Sequence, residues 1–218
     1  MHAQAWAWTT LFLLGAYHGL NPAMGWLFAV ALGLQKQSGR AVWQSLVPIA
    51  MGHILAIASV IFIAVIAGTM LPIKVMRIAV VVLLAGFGVL RLASKSHPSF
   101  GGMQVGFRDL TIWSFLMACA HGAGLMLLPV LLGMPGSGVV IAGADHATHV
   151  AAFPGVKWQL LAVAIHSVGY LLLTGTIAWV VYEKLGLSVL RKAWFNLDFI
   201  WATALIATAA LTLVFSWS

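Results

Sequence analysis

AWAWTTLFLLGAYHGLNPAMGWLFAVALGL, residues 5–34, is the stretch on which the fold class turns. It contains no Asp, Glu, Lys or Arg, and a helix of that length exceeds the ~30 Å hydrocarbon core of a bilayer. Lipid offers backbone groups no hydrogen-bond partners, so a run of this kind reads as a membrane-spanning helix that satisfies its own. Its centre is irregular: GAYHGLNPAMG at 15–25 holds three glycines and a proline. Pro22 has no N–H to give to the carbonyl of His18, so a helix crossing this stretch is predicted to be broken or kinked near Pro22. Broken helices of this kind line midplane binding sites in transporters, and Asn21 would supply an amide beside the break. A plain proline kink with close packing at the glycines explains the same residues without a site.

Further apolar runs lie at Trp43–Ala67, Ile73–Leu92, Leu110–Gly133, Trp158–Val181 and Leu197–Trp217. They are separated by QKQSGR (35–40), GTMLP (68–72), SKSHPSFGG (94–102), MPGSG (134–138) and LRKAWF (190–195). The reading is an all-α integral membrane protein of six transmembrane helices, with residues 1–218 forming one transmembrane domain. Composition agrees: 62% of residues are hydrophobic and 7% charged, against about 25% charged in a soluble domain. The +7 formal charge comes from basic residues scattered at the ends of the runs, where they can snorkel or meet headgroups. That distribution argues against a nucleic-acid partner and for the lipid bilayer. The single cysteine, Cys119, excludes an internal disulfide and a cysteine-based metal cluster. The first ten residues carry no Lys or Arg, unlike the basic start of a cleavable signal, so the first run is expected to stay attached.

Orientation follows from Lys and Arg between the runs. Lys36, Arg40, Arg91, Lys95, Arg108, Lys184, Arg191 and Lys192 fall on one side, and Lys74, Arg77 and Lys157 on the other. The positive-inside rule then predicts a multi-pass protein of the inner membrane with both termini outside.

Superposing residue 18 on residue 121 aligns TLFLLGAYHGLNPAM with WSFLMACAHGAGLML, pairing His18-Gly19 with His121-Gly122. The next run of each half carries a second histidine, His53 in AMGHILAIAS and His166 in VAIHSVGYLL. Two halves, about 1–93 and 103–218, with three spans each predict a 3+3 inverted repeat, because an odd number of spans reverses the second half.

His18, His53, His121 and His166 each fall near mid-membrane. A polar ring at that depth needs a partner, and an ionisable residue there is a functional-site candidate by default. One such histidine alone is explained by a ring N–H given to a neighbouring carbonyl. Four, placed two by two in equivalent positions, read as a joint site, and neutral imidazole suits nickel, cobalt, zinc, copper and haem iron. Asp145, His146 and His149, in GADHATH at 143–149, form a secondary candidate for capturing a cation in the longest outside loop, although without a CxxC or HExxH context the same residues read first as a solvated polar loop.

HGLNPAM at 18–24, with GHILAIAS at 52–59, resembles the first- and second-helix signatures of the nickel/cobalt transporters and the related hydrogenase/urease accessory membrane proteins, within the lysine-exporter-type superfamily. The family pattern is HGLDPDH. The resemblance implies His18 and His53 as metal ligands and a three-plus-three architecture. This chain has Asn21 and Ala23 where the family has acids, and Met24 where it has its second histidine.

The leading expectation is a small membrane transporter for a divalent transition-metal cation with a midplane histidine site. It needs no catalytic group, and it has no carboxylate inside the membrane to balance the cation's charge. The alternatives are a membrane electron carrier holding b-type haem through paired histidines, a membrane enzyme with a three-histidine metal, and an accessory subunit whose histidines only specify packing. Gly19, Gly52, Gly122 and Gly169 would make room for a porphyrin in the first of these. A homo-oligomer is compatible with all four. No GxxxxGK[ST] nucleotide loop is present.

Overall fold

A computed structural model describes residues 2–69, 71–93, 106–134, 139–142, 148–151, 154–185, 203, 205–210 and 212–213. Its elements are α1 (His2–Leu20), a 3-10 turn (Pro22–Met24), α2 (Trp26–Gln35), α3 (Gly39–Gly68), α4 (Ile73–Ala93), α5 (Phe107–Ala120), α6 (Ala123–Gly133), β1 (Val139–Ala142), β2 (Thr148–Ala151), α7 (Val156–Val180) and a π turn (Val181–Leu185). Residues 203, 205–210, 212 and 213 are also helical. Among the described residues the regular structure is helical apart from one antiparallel ladder, in which Val139 pairs with Ala151 and Ala142 with Thr148. That ladder lies in the connection the sequence marks only as a loop. Among the described residues, α3 and the segment Val156–Lys184 are long and apolar enough to cross a membrane, and α5 with α6 is a third if that bent pair is one span.

The first apolar run breaks where Pro22 predicts. α1 stops at Leu20, and the side-chain oxygen of Asn21 accepts the N–H of Ala23, capping the short turn. Gly25 then takes φ 139, a left-handed value that a side chain rarely adopts, before α2 begins. The indole N–H of Trp26 donates to the carbonyl of Leu20 across the break (3.0 Å), so an otherwise unsatisfied helix-end acceptor is used. The fourth run also breaks, which the sequence reading did not predict. α5 ends at Ala120, Gly122 adopts φ 69, and α6 leaves at 57° to α5.

Glycine sets the closest helix contacts. A Cβ added at Gly15 would run into the backbone carbonyl of His166, at Gly19 into the carbonyl of Tyr170, and at Gly169 into the carbonyl of Phe12. The backbones of α1 and α7 therefore touch over two turns. α3 meets α5 in the same way, with Gly52 against Thr111 and Phe115, and the hydroxyl of Ser114 donating to the carbonyl of Ile49 (2.6 Å). These two pairings are the most extensive in the molecule.

Aromatic contacts give the helix directions. Trp8 stacks on Trp158 at 5.8 Å, near the start of both α1 and α7, so these two helices run parallel. Trp43, near the start of α3, meets Trp179 near the end of α7 at 5.7 Å, so α3 runs against α7. Ile49 lies by Ser114 and Val60 by Gly124, which makes α3 parallel to the α5–α6 pair. Trp158 and Trp179 are separated by about 32 Å of helix, one hydrocarbon thickness, as interfacial aromatics require.

Replacing Gly15 or Gly169 by Leu forces α1 from α7 and should cost about 2 kcal/mol or more, as overpacking does. Gly86, where an added Cβ meets nothing within 4 Å, should tolerate Ala without loss. Thermal unfolding of the purified variants in detergent checks both; equal stability of the Gly15 variant and wild type would contradict the close contact.

Candidate functional site

His18 occupies the last turn of α1, His53 the middle of α3, and His166 the middle of α7. All three are wholly buried, and their rings converge. The centroid separations are 5.7 Å for His18–His53, 5.0 Å for His18–His166 and 5.5 Å for His53–His166. The glycine contact of α1 with α7 makes this possible, because Gly15 and Gly19 flank His18 and lie against the backbone from His166 to Thr174. His121, equally buried, is the C-terminal cap of α5 and stands close enough to His18 for charges on the two rings to repel.

The imidazoles are held differently. Nδ1–H of His18 donates to the carbonyl of Leu14 (2.9 Å), Nδ1–H of His166 crosses to the carbonyl of Leu11 on α1 (3.2 Å), and Nδ1–H of His121 donates to Met117 (2.8 Å). A carbonyl only accepts, so in each ring this bond assigns the proton to Nδ1 and leaves the lone pair on Nε2, the tautomer suited to ligation through Nε2. His53 has no hydrogen bond at either ring nitrogen. It is held by stacking on Tyr170, centroids 3.9 Å apart and planes 16° from parallel. The hydroxyl of Tyr170 donates to the carbonyl of Met24 in the turn after Pro22. Tyr170 thus ties the helix break to His53.

Nε2 of His166, Nδ2 of Asn21 and Oγ of Ser167 are also buried without a hydrogen-bond partner. Such atoms are rare in protein interiors and call for an explanation. Two helix ends bear on the site. His18 and His121 lie at the C-terminal ends of α1 and α5, where a helix carries a partial negative charge of about half a unit. The described acids are remote from the cluster: Asp109 accepts the N–H of Gly106 in the first turn of α5, and Glu183 lies in the π turn after α7.

Among the described residues, no group of three His, Cys, Asp or Glu side chains stands arranged to hold a metal ion. The reason is orientation. His53 and His166 lie face to face, 6° from parallel, so their nitrogens are not aimed at one point. Spacing is not the obstacle: the three centroids surround a point about 3 Å from each, the separation produced by a metal–nitrogen bond of about 2 Å. Both rings would have to turn, His53 away from its stack on Tyr170 and His166 about its bond to the Leu11 carbonyl. A haem fits less well. Gly19, Gly52 and Gly169, read from sequence as room for a porphyrin, are instead filled by backbone of the neighbouring helix, and Gly122 forms the left-handed turn between α5 and α6 against Leu205.

Of the secondary candidates, Asn21 is buried at the break beside His18. Asp145 and His146 lie outside the described residues, and His149 belongs to β2, its backbone paired with Ile141. Sequence reasoning missed Tyr170 and the second break. The signal for the break was His121-Gly122 itself, since glycine after a helix end supplies the left-handed turn. Tyr170 lies one helical turn after His166, on the same face.

No family model matches the chain, and neither the curated proteins nor the solved structures contain a match to it.

Replacing Tyr170 by Phe keeps the stack on His53 but leaves the Met24 carbonyl unsatisfied, which should cost about 1–3 kcal/mol. The check is the unfolding midpoint of the purified variant in detergent; an unchanged midpoint would mean that the hydroxyl does not hold the break.

Proposed function

We propose that this chain is a small multi-pass transporter of the inner membrane, that its cargo is a transition-metal cation among nickel, cobalt, zinc and copper, and that His18, His53 and His166 form the midplane site with His121 beside them. The observation that carries this reading is the convergence of three wholly buried imidazoles from three helices on one point beside a helix break. The ring nitrogens of His53 and Nε2 of His166, buried without a hydrogen-bond partner, suit a cation ligand, and the helix ends at His18 and His121 carry partial negative charge. The absence of any described carboxylate at the cluster argues against a hydrolytic metal enzyme, which needs a general base.

Six spans in two inverted halves account for the packing. An in-plane pseudo-two-fold exchanges the first run with the fourth and the second with the fifth. It therefore converts the α1–α7 pair into the α5–α3 pair. Both are parallel, both make backbone contact through glycine, and α1 and α5 both end at a His-Gly. Rocking of one half against the other would then expose the histidines to each side in turn.

Reconstituted in proteoliposomes, the protein should take up a transition-metal ion, and His53→Ala or His166→Ala should lower the rate by at least about tenfold, as loss of a ligand does. His97→Ala, in the polar separator SKSHPSFGG of the sequence, should retain the wild-type rate. Uptake unaffected by loss of both His53 and His166, or a Soret band in the purified protein that these variants abolish, would overturn the reading.

A further inference from the structure

A cavity of about 360 Å³ lies between α1, α4, α6 and the helical residues Thr208 and Thr212, with no histidine in its lining. Leu14, Val80, Met126 and Val130 give it apolar walls, and Arg77 is the one charged residue that lines it. We propose that this cavity seats one anionic phospholipid of the bilayer, with the lipid phosphate on the Arg77 guanidinium and an acyl chain along the apolar walls. The proposal rests on the six-span membrane reading above and is independent of the cargo.

Charge is the first argument. Arg77 is partly buried and follows Ile73, the first residue of α4, by about 6 Å of helix. Among the described residues it makes no hydrogen bond or ion pair. A guanidinium stays charged, carries five N–H donors and grips a phosphate through two parallel bonds. The described carboxylates lie at the other end of the bundle. α4 starts where α3 and α6 finish, whereas Asp109 is in the first turn of α5 and Glu183 follows α7. Helix ends leave the sign unchanged: the start of α4 contributes about half a positive charge, and the end of α6, at Gly133 in the lining, about half a negative one. The charge that faces the cavity is therefore that of Arg77, and its complement is a single anion.

Shape is the second argument, and it favours a lipid over a free anion. A phosphate alone would occupy the Arg77 end and leave the rest of the volume to water between hydrocarbon walls, where water finds few partners. Even the Thr212 hydroxyl in the lining is already given to the Thr208 carbonyl (2.7 Å). The volume falls within the ~300–1,000 Å³ of small-molecule sites. The helices that form the cavity also present apolar surface next to it: Val75 and Ile78 of α4 and Leu13 of α1 are exposed. An acyl chain can thus enter from the side, and a basic residue close to the end of a span stands at the depth of a lipid headgroup.

The test uses the full-length protein in a non-ionic detergent, incubated with phosphatidylglycerol, phosphatidylcholine or inorganic phosphate and read by native mass spectrometry. One phosphatidylglycerol per chain should be held at least about tenfold more tightly than phosphatidylcholine, a difference near 1.4 kcal/mol, and excess inorganic phosphate should not displace it. Arg77→Gln should remove the preference. Lys74→Gln, at an exposed position one turn away, should keep it, which separates a seat from the general attraction of an anionic lipid to a basic surface. The comparison of the two lipids on the wild-type protein requires no variant to fold. Equal retention of both lipids, displacement by inorganic phosphate, or equal loss in the two variants would overturn the lipid seat and leave the membrane fold standing. Recovery of the chain from cells without detergent would instead overturn the six-span reading.

Discussion

Gly15, Gly19 and Gly169 let the backbones of α1 and α7 touch, and the rest of the site depends on that contact. With any side chain at these positions the helices would stand farther apart. Three cross-links would then fail together: the bond from His166 to the Leu11 carbonyl, the 5.0 Å approach of His18 to His166, and the bond from Tyr170 to the Met24 carbonyl. Close backbone packing and interhelical hydrogen bonds hold the pair. Precise placement of the polar rings and cohesion of the bundle are consequently the same interaction.

Three prolines show that a proline alone does not interrupt a membrane helix. Pro48 and Pro129 both lie inside continuous helices, α3 and α6. Pro22 lies at a true break because its neighbours offer the backbone an alternative. Asn21 caps the turn, Gly25 accepts a left-handed φ, and Trp26 and Tyr170 use the carbonyls of Leu20 and Met24. The break is thus specified by five residues, and its freed carbonyls find partners within the turn and from Trp26 and Tyr170.

Much of this was legible from residue types. The apolar runs and the break at Pro22 follow from length, hydropathy and the missing proline N–H. That His18, His53 and His166 would converge rested on a pattern of pairs, and the structure brings those three together. The stack of Tyr170 on His53 was not legible, because it depends on the rotation of α7 against α3, which hydropathy does not encode. The second break escaped because Leu110–Gly133 reads as one apolar run; His121-Gly122 interrupts it without proline. The β1–β2 ladder escaped for another reason: backbone pairing between Val139–Ala142 and Thr148–Ala151 needs register, and a polar intervening stretch gives no hint of it.

The aromatic contacts at the two ends of α7 have a mechanical meaning. Trp158 stacks on Trp8 at one end, and Trp179 contacts Trp43 and Tyr182 at the other. A helix moored at both faces of a bilayer resists sliding along the membrane normal, because sliding would drag an indole into hydrocarbon at one end and into water at the other. Contacts at both ends therefore fix α7 lengthwise, and His166 and Tyr170 lie on the stretch between them.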